Sequence, residues 1–243
     1  MKIGIFDSGI GGLTVLKEII KKYPNASYLY YGDTLHLPYG EKSKKELIEY
    51  SCKIIDFFIE QNVDKIIIAC GTISSTIYDE LTSIYDIELI NVVDATIAAI
   101  KKKNLKEIAV LATPKTIESH TFSKKLEGTN VLEVACPKFV PYLEKGLGNK
   151  EEMLEEYLTK LKEDHIENII LGCTHYPLLQ DDIKKYFDYE VTCYNMGEFV
   201  ADSIQIKESN YNLKLYFSKL DEIIETNVKK IVETDFEIIK KVL

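Results

Sequence analysis

Two short stretches hold the residues with the most chemical reach. One is Lys65-Ile66-Ile67-Ile68-Ala69-Cys70-Gly71-Thr72, and the other is Asn168-Ile169-Ile170-Leu171-Gly172-Cys173-Thr174-His175. Each is an apolar run ending in one cysteine, followed by small hydroxylated residues. An unbroken apolar run of this length predicts a strand buried on both faces, as in a parallel sheet. Ligands of such sheets bind beyond the carboxyl ends of the strands. A single cysteine at such a place is as readily a small buried hydrophobe as a reactive group. Two in the same local frame favour chemistry. A thiol acts as a base only when ionised, and at an unperturbed pKa of about 8.5 little of it is ionised at neutral pH. Both cysteines are expected to precede helix N-termini, which favour negative charge by ~0.3–1 kcal/mol and by up to ~2 when partly buried. A thiol pKa lowered by about one unit is therefore expected. Each cysteine also has a candidate helper: Asp7, at the end of the first apolar strand, for Cys70, and His175 for Cys173. The plainer readings are that Asp7 forms the turn before Gly9 and that His175 faces solvent at a helix start.

One acid–base group on each face of a carbon suits a two-base proton exchange. One thiolate removes a proton while the opposing thiol returns one to the other face, inverting a stereocentre. Charge developing on an adjacent carboxylate then needs N–H and hydroxyl donors. Ser8, Thr72 and Thr174 stand at the right strand ends, and the Pro38-Tyr39-Gly40 turn offers backbone. All thirty basic residues are Lys, so bidentate Arg clamps are absent. The turn Gly9-Ile10-Gly11-Gly12 follows a strand and opens a helix, as a phosphate-binding turn would. It has neither the G-x-G-x-x-G spacing nor a following G-K-[ST]. Cys70, Cys173 and His175 could be three metal ligands, but no further acidic or His pair has helical spacing, and no metal is expected. His36, His120 and His165 are expected at the surface.

These residues sit in a strand–helix alternation that predicts an α/β fold with parallel sheets. Strands are expected at 2–6, 27–31, 65–69, 88–92, 107–113, 131–135, 168–172, 190–194 and 213–217. Helices are expected at 13–22, 43–61, 74–85, 94–103, 118–126, 150–164, from Pro177, 196–206 and, for the most part, 221–242. Residues 136–141 read as a loop leading into a charged segment. The pattern repeats: a shift of 103 residues lays Cys70 on Cys173 and Pro38-Tyr39-x-Glu41 on Pro141-Tyr142-x-Glu144. One more residue lays Asn91 on Asn195. Two similar domains related by a pseudo-twofold axis are expected, with the site in the cleft between them. The expected division is 1–94 plus 209–243 for the first domain, completed by the last strand and helix, and 95–208 for the second.

With 243 residues, 46% apolar and 28% charged, the chain can build a substantial core without disulfides. Its five cysteines show no C-x-x-C spacing, which fits a reducing compartment. No basic, apolar leader opens the sequence and no apolar run approaches a membrane span, so a cytoplasmic protein is expected. The net charge of −9 with scattered lysines argues against nucleic-acid binding.

Several blocks resemble the cofactor-independent aspartate/glutamate racemase family, above all its bacterial glutamate racemases. They are Phe6-Asp7-Ser8-Gly9-Ile10-Gly11-Gly12-Leu13, Gly32-Asp33-Thr34 with Pro38-Tyr39-Gly40, Ala69-Cys70-Gly71-Thr72, Cys136-Pro137-Lys138-Phe139-Val140-Pro141 and Leu171-Gly172-Cys173-Thr174-His175-Tyr176-Pro177-Leu178. The resemblance covers nearly the whole chain. It implies interconversion of L- and D-glutamate without pyridoxal phosphate, metal or nucleotide, supplying D-glutamate for peptidoglycan. It also implies a protein of the kind that commonly forms homodimers. Carried onto matching positions, it implies that Cys70 handles the proton on the D face and Cys173 that on the L face, with Asp7 and His175 as auxiliary groups. Glu144 matches an acidic residue of the family's site. Asp7-Ser8, Tyr39-Gly40, Gly71-Thr72 and Thr174-His175 match substrate-contacting pairs. One residue departs: Gly71 stands where the family normally has Asn. A side-chain amide is missing there, and a lost hydrogen bond to a charged group is worth roughly 1.5–3 kcal/mol. A water could replace it, the pocket could be rearranged, or the substrate could be aspartate or a broader set.

Overall fold

The fold is given by a computed structural model that describes residues 1–207 and 210–243. The apolar runs become strands and the amphipathic stretches become helices. In order come β1 (Lys2–Asp7), α1 (Leu13–Lys22), β2 (Ser27–Gly32), α2 (Lys44–Glu60), β3 (Lys65–Ile68), α3 (Gly71–Thr76), α4 (Tyr78–Ile84) and β4 (Leu89–Asn91). Then follow α5 (Val92–Lys101), β5 (Glu107–Ala112), α6 (Pro114–Ser119), α7 (Thr121–Lys125), β6 (Asn130–Ala135), α8 (Phe139–Lys145) and α9 (Lys150–Glu163). Next are β7 (Asn168–Leu171), α10 (Gln180–Tyr186), β8 (Thr192–Asn195), α11 (Met196–Ser203), β9 (Asn212–Phe217), α12 (Glu222–Ile231) and β10 (Glu237–Lys240).

Two parallel sheets result, one ordered β10-β9-β2-β1-β3-β4 and the other β6-β5-β7-β8. The inner order of the first sheet, β2-β1-β3-β4, recurs as the whole of the second. The repeat extends to single bonds. Ala69 N–H donates to Phe6 C=O at 2.9 Å, and Gly172 N–H donates to Leu111 C=O at 2.8 Å. In both sheets the ladder therefore runs to the residue just before the cysteine. Asn91 and Asn195 cap α5 and α11 in the same way, accepting from Val93 N–H at 2.8 Å and Gly197 N–H at 2.9 Å. β9 and β10 extend the first sheet. The expected boundary between 208 and 209 lies outside the described residues.

The two sheets do not float apart. α11 packs on both α1 and α5, and one apolar core includes Ile5, Leu16 and Val93 together with Val110, Met196 and Val200. Full burial of one such side chain contributes about 1.5–3 kcal/mol, so this shared core fixes how the two strand-end surfaces face each other. No helix among the described residues is long and apolar enough to cross a membrane.

Several elements differ from expectation. The helix expected over 74–85 begins at Gly71 and breaks at Ile77 into α3 and α4. Thr76 and Ser75 hydroxyls bond back to the Thr72 carbonyl at 2.6 and 3.3 Å, a competition that distorts helices. The helix expected over 118–126 starts earlier, with Thr113 as N-cap and Pro114 in the first turn, and is split by His120 in the left-handed region at φ 53°. The expected loop over 136–141 winds at Phe139 into α8, which ends at Gly146 at φ 66°. Pro141 lies in its first turn, where a missing N–H costs nothing. Finally, α12 stops at Ile231 and Glu237–Lys240 pairs with β9. A β9 edge left open would expose unpaired backbone groups, and the β-branched Ile238-Ile239 pair suits strand pairing.

Candidate active site

Because β1 pairs with β3 through Phe6↔Ile68, Asp7 and Cys70 leave adjacent strand ends. Cys70 is the first residue off the β3 ladder and N-caps α3. Cys173 is likewise the first residue off the β7 ladder, but it caps no helix. Thr174 and His175 lead into a short 3-10 turn, Tyr176–Leu179, and the α-helix expected from Pro177 starts only at Gln180, so the expected helix N-terminus is absent at this cysteine. The two residues are 4% and 6% exposed, and both line one narrow cleft of about 20 Å³. Ser8, Pro38, Tyr39, Gly40, Gly71, Thr72, Thr174 and His175 line the same cleft. Asp7 and Glu144 are not in its wall. They are buried directly behind it, in contact with wall residues. Leu37, Thr113 and Val140 also line it and were not anticipated. Thr113 had a signal in the sequence: it follows a strand and precedes a proline, which is where a strand-end N-cap belongs. Its hydroxyl meets that of Thr72 at 3.0 Å, joining the two walls.

On the Cys70 side, Sγ lies 3.8 Å from Ser8 Oγ. Asp7 is fully buried. Its Oδ1 accepts from Gly9 N–H at 3.0 Å, and its Oδ2 accepts from the Thr174 hydroxyl at 3.1 Å. Burial raises the Asp7 carboxyl above its ordinary range, opposed by the charge of His175 and by donors from Gly9, Gly12 and Thr174. The Cys70 thiol is pushed up to about 12, first by burial and then by the negative charge of Asp7. The expected lowering at a helix N-terminus is therefore overturned at this cysteine. The six-residue α3 supplies the Ile73 N–H, which is too little to offset removal of the thiolate from water. Cys70 rests as a thiol, next to a carboxylate primed to bind a proton.

The Cys173 side is built differently. Sγ lies 3.8 Å from His175 Nδ1, and His175 Nε2 lies 2.6 Å from Glu144 Oε1. All three side chains are buried. Burial works against an imidazolium, but Cys173 and Glu144 outweigh it, and His175 stands well above its ordinary pKa. With Glu144 accepting from Nε2–H, Nδ1 faces Cys173 and holds the proton that the thiol gives up.

The glycine-rich turn serves this pair. A β-carbon on Gly9 would lie 2.4 Å from Glu144 Oε1, and one on Gly11 would lie 2.3 Å from His175 Nδ1. Ile10 N–H donates to Glu144 Oε1 at 3.1 Å. The turn's N–H groups and its clearance are thus used by carboxylates and an imidazole of the chain itself, which leaves no cradle for the phosphate considered from sequence.

Gly71 receives a similar explanation. A β-carbon there would lie 2.7 Å from the carbonyl oxygen of Gly172. A side chain at residue 71 would therefore need this backbone contact to open.

Tyr39 is held from behind. Its hydroxyl donates to Asp33 Oδ2 at 2.7 Å, while Ser218 Oγ donates to Oδ1 at 2.7 Å. His36, expected at the surface, is half-buried. Its Nδ1 lies 2.8 Å from Asp33 Oδ2, and its ring stacks on Tyr50 at 4.1 Å. His120 and His165 are exposed.

Fold and site together define a duplicated α/β protein with one buried thiol from each half in a common cleft. The chain belongs to the Asp/Glu/Hydantoin racemase family, whose model matches residues 16–201. It is 38% identical over 242 residues to the glutamate racemase of Hydrogenobaculum sp. (strain Y04AAS1), covering 96% of this chain and 92% of that protein. Among solved structures, glutamate racemase from Aquifex pyrophilus superposes with a TM-score of 0.83 at 36% identity, covering 99% of this chain and 98% of that one. Glutamate racemase from Francisella tularensis in complex with D-glutamate superposes with a TM-score of 0.86 at 30% identity, covering 100% and 97%.

Proposed function

We propose that the protein interconverts L- and D-glutamate by cofactor-independent proton transfer at Cα between Cys173 and Cys70. One observation carries the reading: the two thiols line a single cleft, each beside its own proton-handling partner. For L-glutamate, the Cys173 proton is held on His175 Nδ1, with Glu144 stabilising the imidazolium. The thiolate takes the Cα proton, and the electron pair left on Cα delocalises into the α-carboxylate. Cys70 delivers its thiol proton to the opposite face, forming D-glutamate and a Cys70 thiolate. For the reverse reaction Asp7 accepts the Cys70 proton, so each direction has a base at hand. Hydroxyls of Ser8 and Thr72 and the Tyr39-Gly40 backbone hold the substrate's carboxylates, in a chain without Arg, while the Thr174 hydroxyl proton is committed to Asp7 Oδ2. D-glutamate made this way would supply peptidoglycan synthesis in the cytoplasm, as the family resemblance implies.

Incubation with L-glutamate and L-aspartate in deuterated water tests the reading. Loss of optical rotation with deuterium entering Cα of the glutamate product is expected. Turnover of aspartate alone would make the protein a sister racemase, and turnover of neither would leave a binding module. Cys70→Ala and Cys173→Ala should each lower racemisation by roughly 10²–10⁴-fold, the usual worth of a positioned acid or base. Full activity in either variant refutes the two-thiol mechanism.

A further inference from the structure

We propose that Thr14 is a positioning residue for the chemistry at Cys70, acting through Thr174 on Asp7. The proposal rests on the racemase reading for its meaning, but its physical content can be measured without turnover. Thr14 lies in α1, 6% exposed and outside the cleft wall. Its single hydroxyl proton is shared between the Thr174 carbonyl at 2.8 Å and the Gly11 carbonyl at 2.9 Å. The Thr174 hydroxyl in turn donates to Asp7 Oδ2 at 3.1 Å.

The chain of bonds runs from the first half to the second and back to the first. Thr14 fixes the backbone of the turn that follows Cys173, and that turn aims a hydroxyl at the carboxylate serving Cys70. Asp7 Oδ1 is already held by Gly9 N–H at 3.0 Å, so the Thr174 hydroxyl is the side-chain donor that fixes the other oxygen. A donated hydrogen bond stabilises the ionised carboxylate in a buried site. Cutting the chain at Thr14 or Thr174 therefore makes Asp7 hold its proton more tightly. The base needed to ionise Cys70 is then present only at higher pH.

Other titratable groups face Asp7 and must be followed as well. They are Cys70 after β3, Tyr30 on β2, Tyr39 in the loop after β2 and His175 after β7. The cationic His175 opposes the effect of burial on Asp7, and neither Thr substitution alters it chemically. Enantiomers have equal free energies, so any loss in kcat/KM must be equal in both directions. Direction of turnover cannot diagnose the defect, but the acid limb of the pH profile can.

The experiment compares full-length Thr14→Val, Thr14→Ser and Thr174→Val with the wild type. The Asp7 carboxyl carbon is titrated by ¹³C NMR, assigned by its absence in Asp7→Asn, and kcat/KM for glutamate is followed against pH. Thr174→Val should move the Asp7 titration and the acid limb up by roughly one pH unit, the scale of one hydrogen bond to a charged group. Thr14→Val should shift both in the same direction by less, and Thr14→Ser should restore wild-type values. A folded Thr14→Val with wild-type Asp7 titration, or a Thr14→Ser that behaves like the valine variant, overturns the proposal. If Thr14→Val does not fold, an unmoved Asp7 titration in Thr174→Val overturns it. If the wild type does not racemise glutamate, the functional reading fails, while the carboxyl titration still decides the hydrogen-bond chain.

Discussion

At Gly71 a missing β-carbon decides how closely the two halves meet. From sequence the position reads as the loss of an amide that would grip substrate. In three dimensions it is a backbone contact, with a β-carbon placed 2.7 Å from Gly172 O. Restoring the family's usual residue should therefore harm this chain. Gly71→Asn is expected to lower kcat/KM for glutamate at least ~10-fold and to lower Tm, since overpacking costs about 1–3 kcal/mol and falls beside both cysteines. A steady-state assay with a thermal melt checks this, and higher activity in the variant would show that the amide, not the spacing, matters. Cys70, Cys173 and Asp7 are legible as single residues because each ends an apolar run. The thiol pKa was not legible. Burial depends on what the opposite half covers, and at Cys70 it outweighs the helix end.

The loop from Asp33 to Glu41 shows what an element adds. Pro38, Tyr39 and Gly40 form cleft wall, but a loop has no ladder to hold it. Asp33, 3% exposed, does so by accepting from Tyr39, Ser218 and His36 at 2.7–2.8 Å. Ser218 follows β9, so the end of the chain fastens a loop near its beginning. Asp33→Ala leaves buried donors without an acceptor, at about 1–3 kcal/mol each. We expect KM for glutamate to rise more than kcat falls, because the loop forms wall but supplies no proton. An unchanged KM would count against the anchoring role. Strands such as β1, β3 and β7 were readable from local apolar runs. By contrast, α8 and β10 were hidden: α8 carries Pro141 and charged residues in its sequence, and β10 exists because β9 presents an open edge.

Across the whole molecule, the site is held at a cost in stability. Asp7 is a fully buried carboxyl whose folded pKa lies above its unfolded one. The folded state thus binds this proton more tightly, and stability falls as pH rises through the unfolded value toward the folded one. Above that window the full penalty of the buried charge remains. Asp7→Asn has no such titration. Its Tm relative to wild type should climb as the pH rises from about 4 and then level off, while racemisation is lost. A Tm difference that stays flat or declines over that range would refute the assignment. Such exchange of stability for activity is common at active sites, and here the core shared by both sheets supplies the margin.

By itself the sequence determined the alternation of strands and helices, the duplication, and the placement of a thiol at each of two equivalent strand ends. These are local or periodic properties, written in runs of Ile, Leu and Val and in the 103-residue spacing of Cys70 and Cys173. Only the tertiary structure decided which half supports which charge. Asp7 takes its hydroxyl donor from Thr174, and Glu144 takes its N–H from Ile10, so each of these buried carboxylates is steadied by the other half. Partners separated by more than 130 residues leave no periodic trace in a chain. They are fixed when the shared core brings the two strand-end surfaces together and water is excluded between them.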